Sequence, residues 1–408
     1  LKTQMSFHLT EIGYRGDENV LESMAVSTQN RYDIDHFAET ANNGILNDIW
    51  NAWYNGIYRC NDVLDHMTGA KIANYDKYRG ECLFLRSWWY FNLYRVFGVV
   101  PITRTVVTPA AAKLIPRCTE EEMYTLLTED LAEAARLLPP TPGPEKARVA
   151  NIAAYTLLAK VYLTFGKPAE AKTALEEAMK NTSYGLESTT KKVFDVGNKM
   201  NREIIFALYY NKTNDNGHGY WYSANTDVLA DINNPTPTFK AIYDSEKDNR
   251  LPLISSYTKI KDNLFAMTKW YDTYDATYTT QVGNDFPHLR YADVVLMYAE
   301  ALAESGGSLG DALEWLNKTR TRAGLDELTT DEVKSLAEFR RELAAERGRE
   351  FALEGHRWFD LVRLGLAVDY FREMGYSLDS HNLIFPIPQN QIEIVNNPSI
   401  LWQNPGFN

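Results

Sequence analysis

Residues 149–180 read VANIAAYTLLAKVYLTFGKPAEAKTALEEAMK, and this stretch indicates the architecture of the whole chain. It predicts two helices joined by a turn at Gly166, because glycine readily adopts the positive φ that ends a helix. Pro168 suits the first turn of the second helix, where its missing N–H leaves no hydrogen bond unmade. Small residues let the two backbones approach while larger ones fill the volume beside them. The spacing is that of a tetratricopeptide repeat: Ala159, Tyr162, Gly166, Ala171, Leu175 and Ala178.

A second repeat unit is predicted at Leu296–Thr321, LMYAEALAESGGSLGDALEWLNKTRT. Asp311 falls where an acid stabilises a helix N-terminus. One unit cannot bury its own apolar face, so other helices must stack on it. We therefore expect a mainly α fold, a tetratricopeptide-like helical-repeat scaffold of about four helix pairs with an irregular insert and few short strands. The alternative is an ordinary antiparallel helical bundle. The repeat positions are Ala299, Leu302, Gly306, Ala312, Leu316 and Thr319.

The chain is predicted to form one domain over residues 1–408, with the scaffold in 45–180 and 289–374. Residues 1–44 and 185–287 show little periodicity and carry clusters of Asn, Asp, Gly and Pro. Long irregular segments in a compact protein are commonly functional surfaces, and the aromatic content of these segments argues against disorder. We expect both irregular segments to face a ligand. The tail, FPIPQNQIEIVNN (385–397) followed by LWQNPGF (401–407), is predicted to be extended and rich in turns.

Composition narrows the classes of function. Apolar residues make up 45% and charged residues 24% of the 408, as in soluble globular proteins. A net charge of −12 argues against nucleic acid and anionic membranes as partners. Among three cysteines, Cys60 and Cys82 lie on successive predicted helices, so a disulfide is one option, but buried thiols are favoured. The chain begins at Leu1 rather than Met, which leads us to expect that an amino-terminal stretch has been removed.

No catalytic, metal or cofactor motif is found. The seven His residues form no close pair, and nucleophile elbows, phosphate loops and dinucleotide fingerprints are lacking. We therefore predict a binding protein without cofactors and not an enzyme. Residues 338–363 are dense in Arg and Glu, which fits either an anion site or a helix pair laced by ion pairs, with Trp358 and Phe359 in the core. The ion-paired helices are favoured.

Several blocks together resemble the SusD/RagB family of outer-membrane nutrient-binding lipoproteins, from about Gly16 to the C-terminus. The resemblance implies a surface lipoprotein of Bacteroidota, on the extracellular face of the outer membrane. It also implies a partner, a TonB-dependent (SusC-like) transporter, and a glycan ligand captured for import. The family's lipidated cysteine and first helix have no counterpart here, which fits a trimmed chain. The blocks are WNAWYNGIYRCNDVL (50–64), RGECLFLRSWWYFNLYRVFGVVP (79–101), LRYADVVLMYAEALA (289–303), RRELAAERGREFALEGHRWFDLVRLG (340–365) and FPIPQ (385–389).

The ligand site is predicted where the 16–44 segment meets the insert. Proteins hold the apolar C–H faces of sugars on flat aromatic rings and their hydroxyls with Asn, Asp and Arg. For any single ring, packing of the insert onto the helices is the alternative. Two further hypotheses remain, a peptide-binding member of the same family and a structural repeat adaptor with only protein partners. The predicted ligand-binding residues are Arg31, Tyr32, Trp221, Tyr222, Trp270, Tyr271, Tyr274 and Tyr278.

Overall fold

Helices dominate the fold, and the strands are few and short, as predicted. The structure is a computed structural model that describes residues 11–17, 29–143, 145, 147–210, 223–225, 235–261, 264–272 and 283–407. The helices are α1 (Gln29–Asp35), α2 (Gly44–Met67), α3 (Tyr75–Phe97), α4 (Pro109–Ala112), α5 (Glu120–Leu137), α6 (Asn151–Thr164), α7 (Pro168–Met179), α8 (Thr190–Val193), α9 (Pro237–Lys240), α10 (Leu251–Ser255), α11 (Tyr291–Glu304), α12 (Leu309–Arg322), α13 (Leu336–Glu350), α14 (Arg357–Arg363), α15 (Ala367–Glu373) and α16 (Gln389–Val395). The strands are β1 (Ile204–Leu208), β2 (Ser223–Asn225), β3 (Tyr257–Lys261), β4 (Leu264–Met267) and β5 (Phe286–Arg290).

The helices stack in the order of a repeat scaffold. Helix α2 packs on α3, α3 on α5, α5 on α6 and α6 on α7. Helix α7 then packs directly on α11, although the insert separates them in sequence, and α11 packs on α12 and α13. The two predicted repeat units are therefore neighbours in space, and the insert is the long segment that connects them in sequence. The predicted helical-repeat fold is confirmed.

The turns inside the two repeats have the predicted conformations. Gly166 has φ +67° between α6 and α7, and Gly306 has φ +82° between α11 and α12. Pro168 opens α7, and Ser308 caps α12 by accepting from the Gly310 N–H, with Asp311 in the first turn. Because these signals are local, the sequence alone was enough to place them.

A close approach of α2 and α3 depends on one glycine. A Cβ added to Gly56 would lie 2.4 Å from the indole Nε1 of Trp89. Helix α5 opens with a capping box, in which Thr119 and Glu122 satisfy each other's backbone N–H groups. Tight helix packing therefore holds the aromatic rings of α3 in the core.

Among the described residues, the strands form two small antiparallel sheets. Strand β1 pairs with β5, and β4 lies between β2 and β3. The β1–β5 pair is buried throughout and places Ile204 opposite Arg290. Helices were predicted to resume at Leu289, which is wrong, because Leu289 and Arg290 belong to β5 and α11 begins at Tyr291. Pairing with the distant β1 strand keeps these residues extended.

The tail also differs from its prediction. It contains α16, which begins after Pro388 and ends at Asn396 with a left-handed φ of 48°. The Gln391 N–H donates to the Pro388 carbonyl at 2.9 Å. Proline at a helix start and asparagine at its end are ordinary boundary residues, so the prolines of FPIPQ mark a helix entry and not a continuing extended chain.

The Arg- and Glu-rich stretch is a buried ion-pair network, which confirms the structural interpretation of residues 338–363. At its centre, Arg290 contacts Glu203 at 2.8 Å, Glu350 at 2.6 Å and Glu354 at 2.8 Å. Trp358 and Phe359 are buried. Each buried cation of this network has at least one carboxylate: Arg250, Lys269, Arg290, Arg322 and Arg349 pair with Asp248, Glu203, Glu346, Glu350 and Glu354.

All three cysteines are free; Cys60 and Cys118 are buried and Cys82 is half-buried. The preference for thiols over a disulfide is confirmed. Burial raises the pKa of Cys60 to about 12, so this thiol stays protonated at neutral pH. Within the part of the chain that the structure describes, no helix combines the length and hydropathy needed to span a bilayer.

Candidate functional site

The 16–44 segment meets the insert at Asp17. The Thr236 hydroxyl donates to the Asp17 carbonyl at 2.8 Å. The Asp17 carboxylate accepts from Arg357 Nε at 2.9 Å and from the Tyr370 hydroxyl, and the residue is buried. The start of the segment is therefore fixed to both the insert and the scaffold.

Helix α1 carries the two predicted ligand residues that the segment contributes. Arg31 Nε lies 3.3 Å from a Glu11 carboxylate oxygen, and Tyr32 stacks on His36 with ring centroids 3.8 Å apart and planes 16° apart. Both Arg31 and Tyr32 are half-buried. The Asn43 side chain donates to the Asn30 carbonyl at 2.9 Å, which fastens α1 to the start of α2. A guanidinium and a ring are thus held at the surface with part of each accessible.

Trp270, a predicted ligand-binding residue, lies in the core. Its side chain is only 1% exposed, and the indole packs against Phe286 (5.9 Å, stacked) and Phe194 (5.1 Å, edge-on). The prediction that Trp270 is a sugar platform is wrong for this structure, because the ring has no exposed face. The neighbouring Tyr271 is half-buried. The other predicted rings lie outside the described residues: Trp221, Tyr222, Tyr274 and Tyr278.

A second concave surface, which we call the α2 groove, runs between α2, the 101–115 segment and α16. It encloses about 840 Å³, within the range of roughly 300–1,000 Å³ usual for ligand sites. The rings of Trp50 and Tyr54 lie 4.9 Å apart along its floor. Tyr58 and Ile394 stand at its edges, 52% and 51% exposed. The groove therefore offers apolar and aromatic surface to solvent.

Most polar groups of the α2 groove are already engaged. The Tyr54 hydroxyl donates to the Pro101 carbonyl at 2.7 Å, and Asn61 donates to the carbonyls of Thr103 and Thr105. Burial raises the pKa of Tyr54, so its phenol remains a donor. The Gln391–Asn51 contact, 3.3 Å long, and the exposed Lys113 and Thr108 are polar groups of the lining that are open to solvent. The groove suits an apolar face better than a set of hydroxyls.

Sequence reasoning missed this groove. Trp50, Tyr54 and Tyr58 recur every four residues along α2, a spacing that places them on one helix face. This row of three aromatic rings is a sequence pattern that could have indicated the groove. The opposite wall could not be foreseen, because Ile394 belongs to the tail, whose helix the sequence did not predict. Among the described residues, no group of three or more His, Cys, Asp or Glu side chains could hold a metal ion.

Two family models match the chain. The model described as "SusD family" matches residues 248–407, and the model described as "Starch-binding associating with outer membrane" matches residues 8–163. A similar relative is SusD-like protein P2 of Formosa agariphila, 26% identical, with 92% of this chain and 84% of that protein covered.

Solved structures share the fold. A SusD superfamily protein from Bacteroides vulgatus superposes with a TM-score of 0.81 at 23% identity, covering 98% of this chain and 93% of that one. Surface glycan-binding protein A from Bacteroides thetaiotaomicron, solved in complex with laminarihexaose, superposes with a TM-score of 0.79 at 21% identity, covering 97% and 93%. At these identities the likeness concerns the fold.

Proposed function

We infer the function from one premise: this chain belongs to the SusD/RagB family. We propose that it is a glycan-binding protein associated with the outer membrane, which captures oligo- or polysaccharides for nutrient uptake. The observation that carries this proposal is the match of residues 8–163 to the model described as starch-binding and outer-membrane-associating. The structurally similar protein with a bound laminarihexaose supports it. We further propose that the protein binds its glycan without cleaving it.

We place the glycan at the junction of the 16–44 segment and the insert. Arg31, Tyr32 and Tyr271 are its described members, with Trp221, Tyr222, Tyr274 and Tyr278 as the members outside the described residues. Arg31 and Tyr32 supply a hydrogen-bonding guanidinium and a ring, both half-buried, and Glu11 and His36 hold them in position. Such preorganisation lowers the entropy lost on binding. Trp270 has no part in this proposal.

Substituting Tyr32 by alanine tests this location. If Tyr32 stacks on a sugar ring, its loss should cost about 1–3 kcal/mol, by analogy with base stacking, which weakens binding roughly tenfold to hundredfold. The affinity for an oligosaccharide that the wild type binds is measured by isothermal titration calorimetry. Tyr78→Ala is the matched control, because Tyr78 is also a partly exposed tyrosine, on α3, and it should bind like the wild type.

The α2 groove is the competing location, and Tyr58→Ala distinguishes the two. We expect Tyr58→Ala to keep wild-type affinity. A tenfold loss in Tyr58→Ala together with full affinity in Tyr32→Ala would move the glycan site to the α2 groove.

The proposed partner is a TonB-dependent (SusC-like) transporter, with the protein lipid-anchored on the extracellular face and lying over the barrel. An interface of this kind needs a large area and does not require charge complementarity, so the acidity of the chain is no obstacle. Affinity purification from native outer membranes should recover a TonB-dependent receptor with this protein. Recovery of soluble cytoplasmic proteins alone would contradict the proposed partner.

A further inference from the structure

A cavity of about 450 Å³ lies between α3, α6, α14 and residues 383–384. Its walls carry three cationic side chains, Arg95, Lys160 and Arg363, and two carboxylates, Glu120 and Asp360, with His356 and Phe359 beside them. Burial lowers the pKa of His356 well below its ordinary value, so this ring is neutral at pH 7.

Most cations around the cavity have carboxylate partners. Lys160 forms an ion pair with Asp293, and Arg363 forms one with Glu300. Arg347, behind the wall, bridges Asp293 at 2.9 Å and Asp360 at 2.8 Å. These groups balance one another without any outside ion.

Arg95 is the exception. No carboxylate among the described residues lies within the 4.0 Å of an ion pair to it. Among the described residues, the only hydrogen bond of the Arg95 guanidinium is to the Asn92 side chain, and its Nε is buried without an acceptor. The rings of Phe359 and Phe91 lie 3.9 and 4.7 Å from the guanidinium carbon. Aromatic surface therefore surrounds this guanidinium, and its N–H edge is left short of acceptors.

Arg117 shows that an arginine of this fold can do without a carboxylate when oxygens surround it. Its guanidinium donates to the carbonyls of Val99, Phe97 and Trp402 and to the Asn404 side-chain oxygen. Arg95 lacks such a set. Burial lowers the pKa of Arg95 to about 9, so the group is still charged at neutral pH. Asp360 and Asp293 attract Arg95 only from beyond ion-pair distance, and a bound anion would supply the direct contact that this half-buried guanidinium lacks.

We propose that the Arg95 cavity binds an oxyanion, a carboxylate or sulfate group carried by the glycan. Arginine matches such groups with two parallel N–H···O bonds, and the volume admits a group of monosaccharide size. This inference rests on the proposed function and adds a preference for acidic sugars. The same chemistry also fits a free inorganic anion, so the test uses both sources.

Isothermal titration calorimetry at pH 7 tests the proposal with three probes: sodium sulfate, sodium glucuronate and neutral glucose. Each sodium salt replaces sodium chloride so that the ionic strength stays constant, because screening by salt alters charge interactions. We expect saturable binding heat from at least one of the two anions. Glucose carries no anionic group, so we expect it to give no heat that depends on Arg95. Stronger binding of glucuronate than of sulfate would identify a sugar-borne carboxylate as the favoured source, and the reverse order would identify sulfate.

Arg95→Gln should weaken anion binding at least tenfold. Arg136→Gln is the matched control, since Arg136 lies 71% exposed on α5 and its loss changes the net charge equally. Arg95→Lys keeps the charge, loses the paired N–H geometry and should bind with intermediate affinity. No saturable heat from either anion with the wild type, or undiminished binding in a folded Arg95→Gln protein, overturns the proposal.

Neutral oligosaccharides separate this inference from the proposed function. If they bind the wild type and both anions fail, only the Arg95 inference is wrong. If sulfate binds and no oligosaccharide of any kind does, the oxyanion cavity stands as a free-anion site and glycan capture is wrong.

Discussion

Arg290→Met should destabilise the protein by about 5 kcal/mol or more, the largest effect we expect from a single substitution. Breaking a buried ion pair by removing one partner costs about 3–5 kcal/mol, because the other charge stays buried. Arg290 forms ion pairs with Glu203, Glu350 and Glu354, so its removal takes a counter-charge from three carboxylates. Although burial alone raises the pKa of Glu350, the charges of Arg322, Arg290 and Arg250 hold it below its ordinary value. The free energy of unfolding in urea measures the loss.

Arg340→Met is the control for this prediction. Arg340 makes a two-pronged contact with Glu304, as Arg290 does with Glu354, but its side chain is 40% exposed. Exposed pairs contribute about 0–1 kcal/mol, so this variant should unfold at nearly the wild-type urea concentration. Equal losses in the two variants would mean that burial of the network is not what makes Arg290 important.

Trp270→Ala should cost about 3–5 kcal/mol of stability, as large-to-small changes of core aromatic residues do. The side chain is 1% exposed between Phe286 and Phe194, and its removal leaves a cavity beside β5. Protein that remains folded should bind glycan as the wild type does, since the ring presents no face to a ligand. Thermal melting and calorimetric affinity are the two measurements.

Tyr271→Ala gives the opposite expectation at the adjacent position. Tyr271 is half-buried and belongs to the proposed glycan junction, so its loss should lower affinity by tenfold or more with a smaller change in melting temperature. A Trp270→Ala protein of normal stability that binds glycan tenfold more weakly would return Trp270 to the site.

Local signals account for what the sequence predicted well. Gly166 and Pro168 act within a few residues, so they indicate helix ends without reference to any tertiary contact. The Arg- and Glu-rich run on α13 and α14 was also interpreted correctly as structural. Its partner Arg250 comes from the insert region, however, and nothing local indicates which distant charge a buried arginine will meet.

Long-range packing explains what the sequence could not supply. Trp270 and Tyr271 are adjacent aromatic residues and look alike in sequence, yet the position of β5 buries one and leaves the other half-buried. The α2 groove needs α16 as its second wall, and the lack of an ion-pair partner at Arg95 emerges only when every neighbouring pair is assigned. The glycan site at Arg31, Tyr32 and Tyr271 remains a prediction.

The most direct test of the central claim is a binding screen of the purified protein on a glycan array beside a peptide library. Glycan capture predicts saturable binding to a subset of oligosaccharides, no binding to peptides, and no new reducing ends when the bound glycans are incubated with the protein. Binding to peptides alone would indicate a peptide-capturing member of the family, and failure on both surfaces with a co-purifying protein partner would indicate a structural adaptor. Either result would contradict the proposed function.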